Sequence, residues 1–224
     1  MALIEVERPA DGVALLTLNR PDKRNALSTE LREFGNTVLA DLASDEGVRA
    51  LIVTGAGAVF SAGFDLKEFD TAFADEAFAT RLWASSDEWH HRWIEFPVPT
   101  IAAVNGAAIA GGFDVAVMCD LRVVADTATF AHPEIRFGDV VYGPLHDLVG
   151  GSVARDLSFT GRRIDGDEAY RLGLANRLVA ADQILSTALE VANEVALAPR
   201  DTLVRLKAKA TRRAGVTQAG TLDL

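Results

Sequence analysis

Two apolar runs of this chain end in glycine-rich turns, Ser61-Ala62-Gly63-Phe64-Asp65 and Ala110-Gly111-Gly112-Phe113-Asp114. Small residues leave backbone N–H groups uncovered, and glycine lets a ligand approach the main chain closely. Where a helix follows, its first N–H groups lack intrahelical partners and its dipole favours negative charge. Two such turns aimed at one point would form an oxyanion hole, able to bind charge developing on a thioester oxygen. Taken singly, each turn also reads as an ordinary strand-to-helix connection, because short glycine motifs recur by chance. Asp114, in the first turn of the second helix, reads equally as a dipole-stabilising carboxylate.

The four histidines fit no metal spacing, and no metal is expected. His90 and His91 are neighbours in a helical stretch flanked by Trp89 and Trp93, so they cannot share a face. Helix surface or pocket wall is their reading. Ser152 in Gly150-Gly151-Ser152 is not a nucleophile elbow and reads as a helix cap.

The elements that must carry these residues follow from periodicity. VALLTLN (13–19) is a short apolar run closed by Arg20-Pro21-Asp22. Residues 28–43 place Leu31, Phe34, Val38, Leu39 and Leu42 at helical spacing, with Ser28 as cap and Glu30 in the first turn. VRALIVTG (48–55) and TIAAVNG (100–106) have the pattern of buried strands; 113–120 reads as a helix and 121–131 as more strand. Asp165 and Glu168 have capping-box spacing, with Gly173 as a stop, and 182–197 and 201–213 read as two further helices. Strands alternating with helices imply an α/β fold with parallel pairing. The expected organisation is a core domain over 1–180 and a helical C-terminal extension over 181–224.

Bulk properties bound the function. The chain has 224 residues, 49% hydrophobic and 24% charged, which suits a soluble globular protein able to bury a core unaided. Its net charge of −10 argues against nucleic acid or an anionic membrane as partner. Local cations such as Lys23, Arg24 and Lys67 still suffice for a small anionic ligand. The single cysteine, Cys119, excludes an internal disulfide and fits a reducing, cytoplasmic setting. No apolar run reaches the roughly 18 residues of a membrane span, and the N-terminus does not have a signal-peptide pattern.

Several segments change the odds for the glycine turns. LNRPDKRNALS (18–28), FSAGFDLKEF (60–69), AAVNGAAIAGGFDVAVMCDLRVVAD (102–126), FAHPEIRFG (130–138) and LSFTGRRIDGDEAYRLGLANRLV (157–179) occur in the order and spacing of the crotonase, or enoyl-CoA hydratase/isomerase, superfamily. Over roughly residues 4–206 the chain resembles that family. The resemblance implies a spiral of ββα units with a helical C-terminal region, shortened at its end, and assembly into homotrimers or hexamers. It implies an acyl-CoA or enoyl-CoA substrate and no separate cofactor, coenzyme A being part of the substrate.

By position, the resemblance makes the N–H groups of Phe64 and Gly111 the oxyanion donors, and Asp114 and Glu134 the acid/base pair. It places Lys23, Arg24 and Ala26 at the coenzyme's phosphates, and Ala62, Asp65, Leu66 and Lys67 along its adenine and pantetheine. Three departures stand out. Phe64 replaces a small residue, and Asp114 is one methylene shorter than the usual glutamate. The segment between Gly138 and Gly150 is short and lacks a P-G-x-G-G run. Hydration of a trans-2-enoyl-CoA ranks first, double-bond isomerisation by Glu134 alone second, and acyl-CoA binding without catalysis third. Acyl chain and pathway are not legible.

Overall fold

The computed structural model describes residues 2–136 and 138–216, and one chain feeds two sheets in alternation. Antiparallel β1 (Ile4–Ala10) and β2 (Val13–Leu18) lead into helix α1 (Thr29–Ser44). A repeating path follows. Strand β3 (Ala50–Gly55) joins the large sheet, β4 (Val59–Ser61) the small one, and α2 (Lys67–Ala74) and α3 (Glu76–Ile94) return. Next come β5 (Thr100–Val104), β6 (Ala107–Ile109) and α4 (Gly111–Met118), then β7 (Leu121–Ala125), β8 (Thr129–Ala131) and α5 (Gly143–Thr160). The chain closes with β9 (Ile164–Asp165), α6 (Gly166–Arg171), β10 (Arg177–Val179), α7 (Ile184–Ala196) and α8 (Arg200–Ala214). This is a spiral of ββα units with a helical C-terminal region. The stretch 121–131, read from sequence as continuous strand, divides between the two sheets as β7 and β8.

The large sheet runs β1-β2-β3-β5-β7-β10, parallel from β2 onward. Every residue of β3 and of β5 is buried, as expected of parallel strands covered on both faces. The small sheet runs β4-β6-β8-β9, with β4, β6 and β8 parallel. Adjacent parallel strands end on the same side. Whatever follows Ser61, Ile109 and Ala131 is therefore delivered to one edge.

Helix α1 starts at its expected cap, with the Ser28 hydroxyl accepting from the Leu31 N–H at 3.3 Å. The buried face differs from the apolar pattern: Phe34 is exposed at 44%, while Arg32 is fully buried. The reason lies in close helix packing. A Cβ on Gly35 would sit 2.4 Å from the Trp89 ring, so α1 and α3 nearly touch and leave no room there for a large side chain. Arg32 instead fills the end of the interface, donating to Ser85 Oγ (3.1 Å), Thr29 Oγ1 (3.3 Å) and the carbonyls of Leu27 and Leu82 (2.5 and 3.1 Å).

Two further readings are refined. Asp165 caps α6 by accepting from the Glu168 N–H at 2.8 Å, but the Glu168 carboxylate turns away to Arg162, so the capping box is half formed. Ser152 is an exposed residue within α5, two positions after a kink at Gly150 (φ 74°, ψ 162°), and shows no capping bond. Among the described residues no helix is long and apolar enough to cross a membrane.

Candidate active site

The edge of the small sheet gathers the residues singled out from sequence. Gly63 and Phe64 follow β4, Gly111 and Asp114 follow β6, and His132 and Glu134 follow β8. The first two turns are in contact. A Cβ on Gly63, whose φ is +82°, would lie 2.7 Å from the Ala110 Cβ and from the Ile109 carbonyl, and 3.0 Å from the Gly111 nitrogen. Ser61 holds the first turn, its hydroxyl donating to the Asn25 carbonyl (2.9 Å) and accepting from the Gly63 N–H (3.2 Å).

Neither the Phe64 nor the Gly111 N–H donates to a backbone acceptor in its turn. Gly111 is the first residue of α4, where an N–H has no intrahelical partner. The residue before it carries strain that sequence reading missed. Ala110 adopts φ 52°, ψ −129°, a region costing an L-residue about 1–3 kcal/mol. It is held there by its own N–H to the Ala131 carbonyl (2.9 Å) and by its carbonyl accepting from Phe113 and Asp114 (2.7 and 3.0 Å). Ala110→Gly is expected to stabilise the fold by about 1 kcal/mol, measured by urea unfolding. An unchanged midpoint would mean that the strain is not real.

The Phe64 ring does not point outward. It packs on Gly111, lies under the Arg32 guanidinium (4.3 Å to the centroid) and is 6.4 Å from the His90 ring. The large side chain at this position thus has its own enclosure, with Arg32 as the cation over its face.

Beneath these turns sits a buried cluster of acids and imidazoles. Asp114 Oδ1 accepts from His132 Nε2–H at 2.9 Å, and its Oδ2 lies 3.7 Å from His90 Nε2. His132 stacks on Phe113 at 4.4 Å, and its Nδ1 is buried with no partner among the described residues. Burial works against ionising Asp114, yet the hydrogen bond from His132, with the His90 ring close by, prevails and holds its pKa below the ordinary value. His132 is correspondingly raised: burial lowers it, and the bond and charge of Asp114 more than offset that.

Glu134, in a 3-10 turn over Pro133–Arg136, has the opposite character. Its Oε2 is buried with no hydrogen-bond partner among the described residues. Burial pushes its pKa up to about 7; His132 opposes this and Asp114 adds to it. The site therefore holds one carboxylate kept ionised and one poised between its two states at neutral pH. Asp114, His132 and Glu134 each offer a ligand atom within 4.8 Å of the others, and Asp114 and His132 are hydrogen-bonded to one another.

The proposed coenzyme residues fall on two loops that run side by side. Leu27 N–H donates to the Gly63 carbonyl (2.8 Å), and Ala62 N–H to the Arg24 carbonyl (2.9 Å). Arg24, Ala26, Ala62 and Asp65 are thereby brought together, with Lys23, Arg24, Leu66 and Lys67 exposed and Ala26 buried. Asp65 is engaged within the protein, accepting from Arg20 at 3.1 Å while the same guanidinium donates to the Ala26 carbonyl at 2.7 Å. Arg20 was not singled out from sequence; a basic residue before Pro-Asp carries no sign of what it will bridge. Two surface clefts, of about 220 and 340 Å³, lie away from this edge, one at Met118 and Lys207 and one at Asn105 and Leu185.

Comparison with known proteins agrees with the fold. A family model described as enoyl-CoA hydratase/isomerase matches residues 8–223. A putative enoyl-CoA hydratase of Thermus thermophilus is 40% identical over 205 residues, covering 87% of this chain and 78% of that protein. The crystal structure of an enoyl-CoA hydratase from Bacillus anthracis superposes with a TM-score of 0.88 at 29% identity, covering 96% of this chain and 85% of the other. A monofunctional enoyl-CoA isomerase from M. smegmatis superposes with a TM-score of 0.82 at 30% identity, over 99% of both chains.

Proposed function

Since this chain belongs to the enoyl-CoA hydratase/isomerase family, we propose that it adds water to a trans-2-enoyl-CoA, giving the 3-hydroxyacyl-CoA. The observation that carries this reading is the convergence of Asp114 and Glu134, from different strand ends, within 4.8 Å. Hydration needs one group to orient and deprotonate water and another to protonate Cα, whereas moving a double bond needs one base. In this reading the Phe64 and Gly111 N–H groups hold the thioester oxygen as it becomes an enolate. Asp114 helps activate water, and Glu134 delivers the Cα proton. Each oxyanion donor is worth about 3–4 kcal/mol of transition-state stabilisation in comparable enzymes. Lys23, Arg24 and Ala26 meet the phosphates, while Ala62, Asp65, Leu66 and Lys67 line the remainder of the coenzyme, with Asp65 acting through Arg20.

One observation favours isomerisation as a second reading. Asp114 is 7% exposed and bound to His132, while Glu134 has an oxygen with no partner among the described residues and a pKa raised to about 7. A single base near neutrality is what a proton shuttle between two carbons requires. Asp114→Asn separates the readings without disturbing the packing: the amide oxygen can still accept from His132, and its N–H₂ can face His90. Water addition is expected to fall by about 10²-fold or more, and isomerisation to persist.

The direct test is mass spectrometry of a mixed enoyl-CoA pool incubated with the protein. Gain of one water on particular thioesters is the expected result and reports the preferred acyl chain. Altered retention at constant mass would replace hydration with isomerisation. Tight binding with neither change would leave an acyl-CoA carrier. Assembly as a trimer or hexamer is part of the same reading. The exposed Phe73, Phe159 and Leu197 supply apolar surface for it, and light scattering measures the mass.

A further inference from the structure

His90, read from sequence as helix surface or pocket wall, is buried rather than on the surface. It lies on α3, 4% exposed, with Nδ1 2.8 Å from the Ser86 carbonyl. A carbonyl oxygen only accepts, so Nδ1 carries a proton, and in the neutral form of the ring Nε2 is the bare nitrogen. That Nε2 faces Asp114 Oδ2 at 3.7 Å, too far for a direct hydrogen bond. A water bridging the two would lie about 2.8 Å from each atom, with one O–H directed at each.

The neighbouring groups are committed elsewhere. Asp114 Oδ1 is taken by His132 Nε2–H, and a carboxylate stabilised in this way is a weak proton acceptor. His132 has its proton on Nε2 and its Nδ1 closed off by burial. Glu134 serves the Cα proton in the reading above. Among the described residues of this cluster, His90 Nε2 combines a nitrogen free of hydrogen bonds with a facing carboxylate.

We propose that His90 is a catalytic residue: its Nε2 accepts the proton of the water that adds to the enoyl-CoA, while Asp114 orients that water and then faces the imidazolium. This rests on the hydration reading. The water oxygen bonds to Cβ as its O–H breaks toward Nε2, and the π electrons move through Cα onto the thioester oxygen. Cα then takes the proton of Glu134, and the enolate collapses. The imidazolium proton returns through solvent to the Glu134 carboxylate, so one water is consumed and no net proton. The shortness of Asp114 acquires a reason, because an imidazole stands where a longer carboxylate would reach.

The test compares the parent with His90→Gln in two assays: water gain by trans-2-enoyl-CoA, and exchange of Cα hydrogens of a saturated acyl-CoA in D₂O. Exchange uses Glu134 and the N–H pair but no added water. The expected result is a loss of hydration of about 10²-fold or more with exchange and acyl-CoA affinity at the parent's level. A variant that hydrates like the parent, or one that loses both activities together, overturns the proposal and leaves the hydration reading standing. A parent that exchanges but adds no water overturns both. If His90→Gln does not fold, ¹⁵N NMR of the parent decides. A neutral His90 with bare Nε2 at neutral pH supports the proposal, and a doubly protonated ring overturns it.

Discussion

Glu134→Gln is expected to lower turnover of an acyl-CoA thioester by about 10²–10⁴-fold while making the protein more stable above neutral pH. The two effects share one cause. Glu134 is a carboxyl placed where burial disfavours its charge, with an oxygen that finds no donor among the described residues. Its folded pKa, about 7, stands above the ordinary 4.5. A raised folded value means that the stability tied to the protonated group is complete below the unfolded pKa. It drains away as pH rises through the folded one. Gln has the same shape and no charge to lose. The variant's advantage should therefore be near zero at pH 4.5, grow toward pH 7 and level off above it at about 2–3 kcal/mol. Urea melts across that window measure it. A flat difference would mean that Glu134 ionises freely in the fold.

The same titration separates the two chemistries by sign. If Glu134 protonates Cα during hydration, the free enzyme must hold the proton, and kcat/KM falls as pH rises through about 7. If Glu134 abstracts a proton as an isomerase base, kcat/KM rises through the same region. Full activity in Glu134→Gln would remove both readings at once, because each gives this carboxyl the Cα proton.

Much of this arrangement was legible before any coordinates. The motif order implied the spiral, and the spiral explains why Gly63, Gly111 and Glu134, far apart in sequence, meet at adjacent strand ends. Local signals also carried well, as with the Ser28 cap and the continuous apolar strands. What escaped was every feature decided by contacts between elements. Helical spacing on α3 separates His90 from His91 but does not reveal that His90 meets Asp114 of α4. The apolar pattern of α1 promoted Phe34 and passed over Arg32, because an arginine is buried only when distant carbonyls accept its protons. Arg20 is a similar case, its role set by an aspartate 45 residues away. Asp114 looked merely short, whereas its environment is defined by two imidazoles from elsewhere in the chain.

The second large effect is expected at Gly63→Ala, and it comes from backbone geometry alone. The new Cβ would fall 2.7 Å from both the Ala110 Cβ and the Ile109 carbonyl oxygen, at a φ of +82° that alanine resists. Neither neighbour is the free end of a flexible side chain, so the two glycine turns must separate. If the Phe64 and Gly111 N–H groups act together on one oxygen, a displacement of about 1 Å costs about 10²-fold in turnover, and complete loss of one donor about 10²–10³-fold. Gly173→Ala supplies the control. Gly173 has a φ of +79° with nothing within 4 Å of its Cβ position, so the substitution carries the dihedral strain without the wedge. It should cost about 1 kcal/mol of stability and leave turnover intact. Parental turnover in Gly63→Ala, with folding retained, would show that the two N–H groups need no shared geometry. The oxyanion assignment would then fail even if Glu134 proved essential.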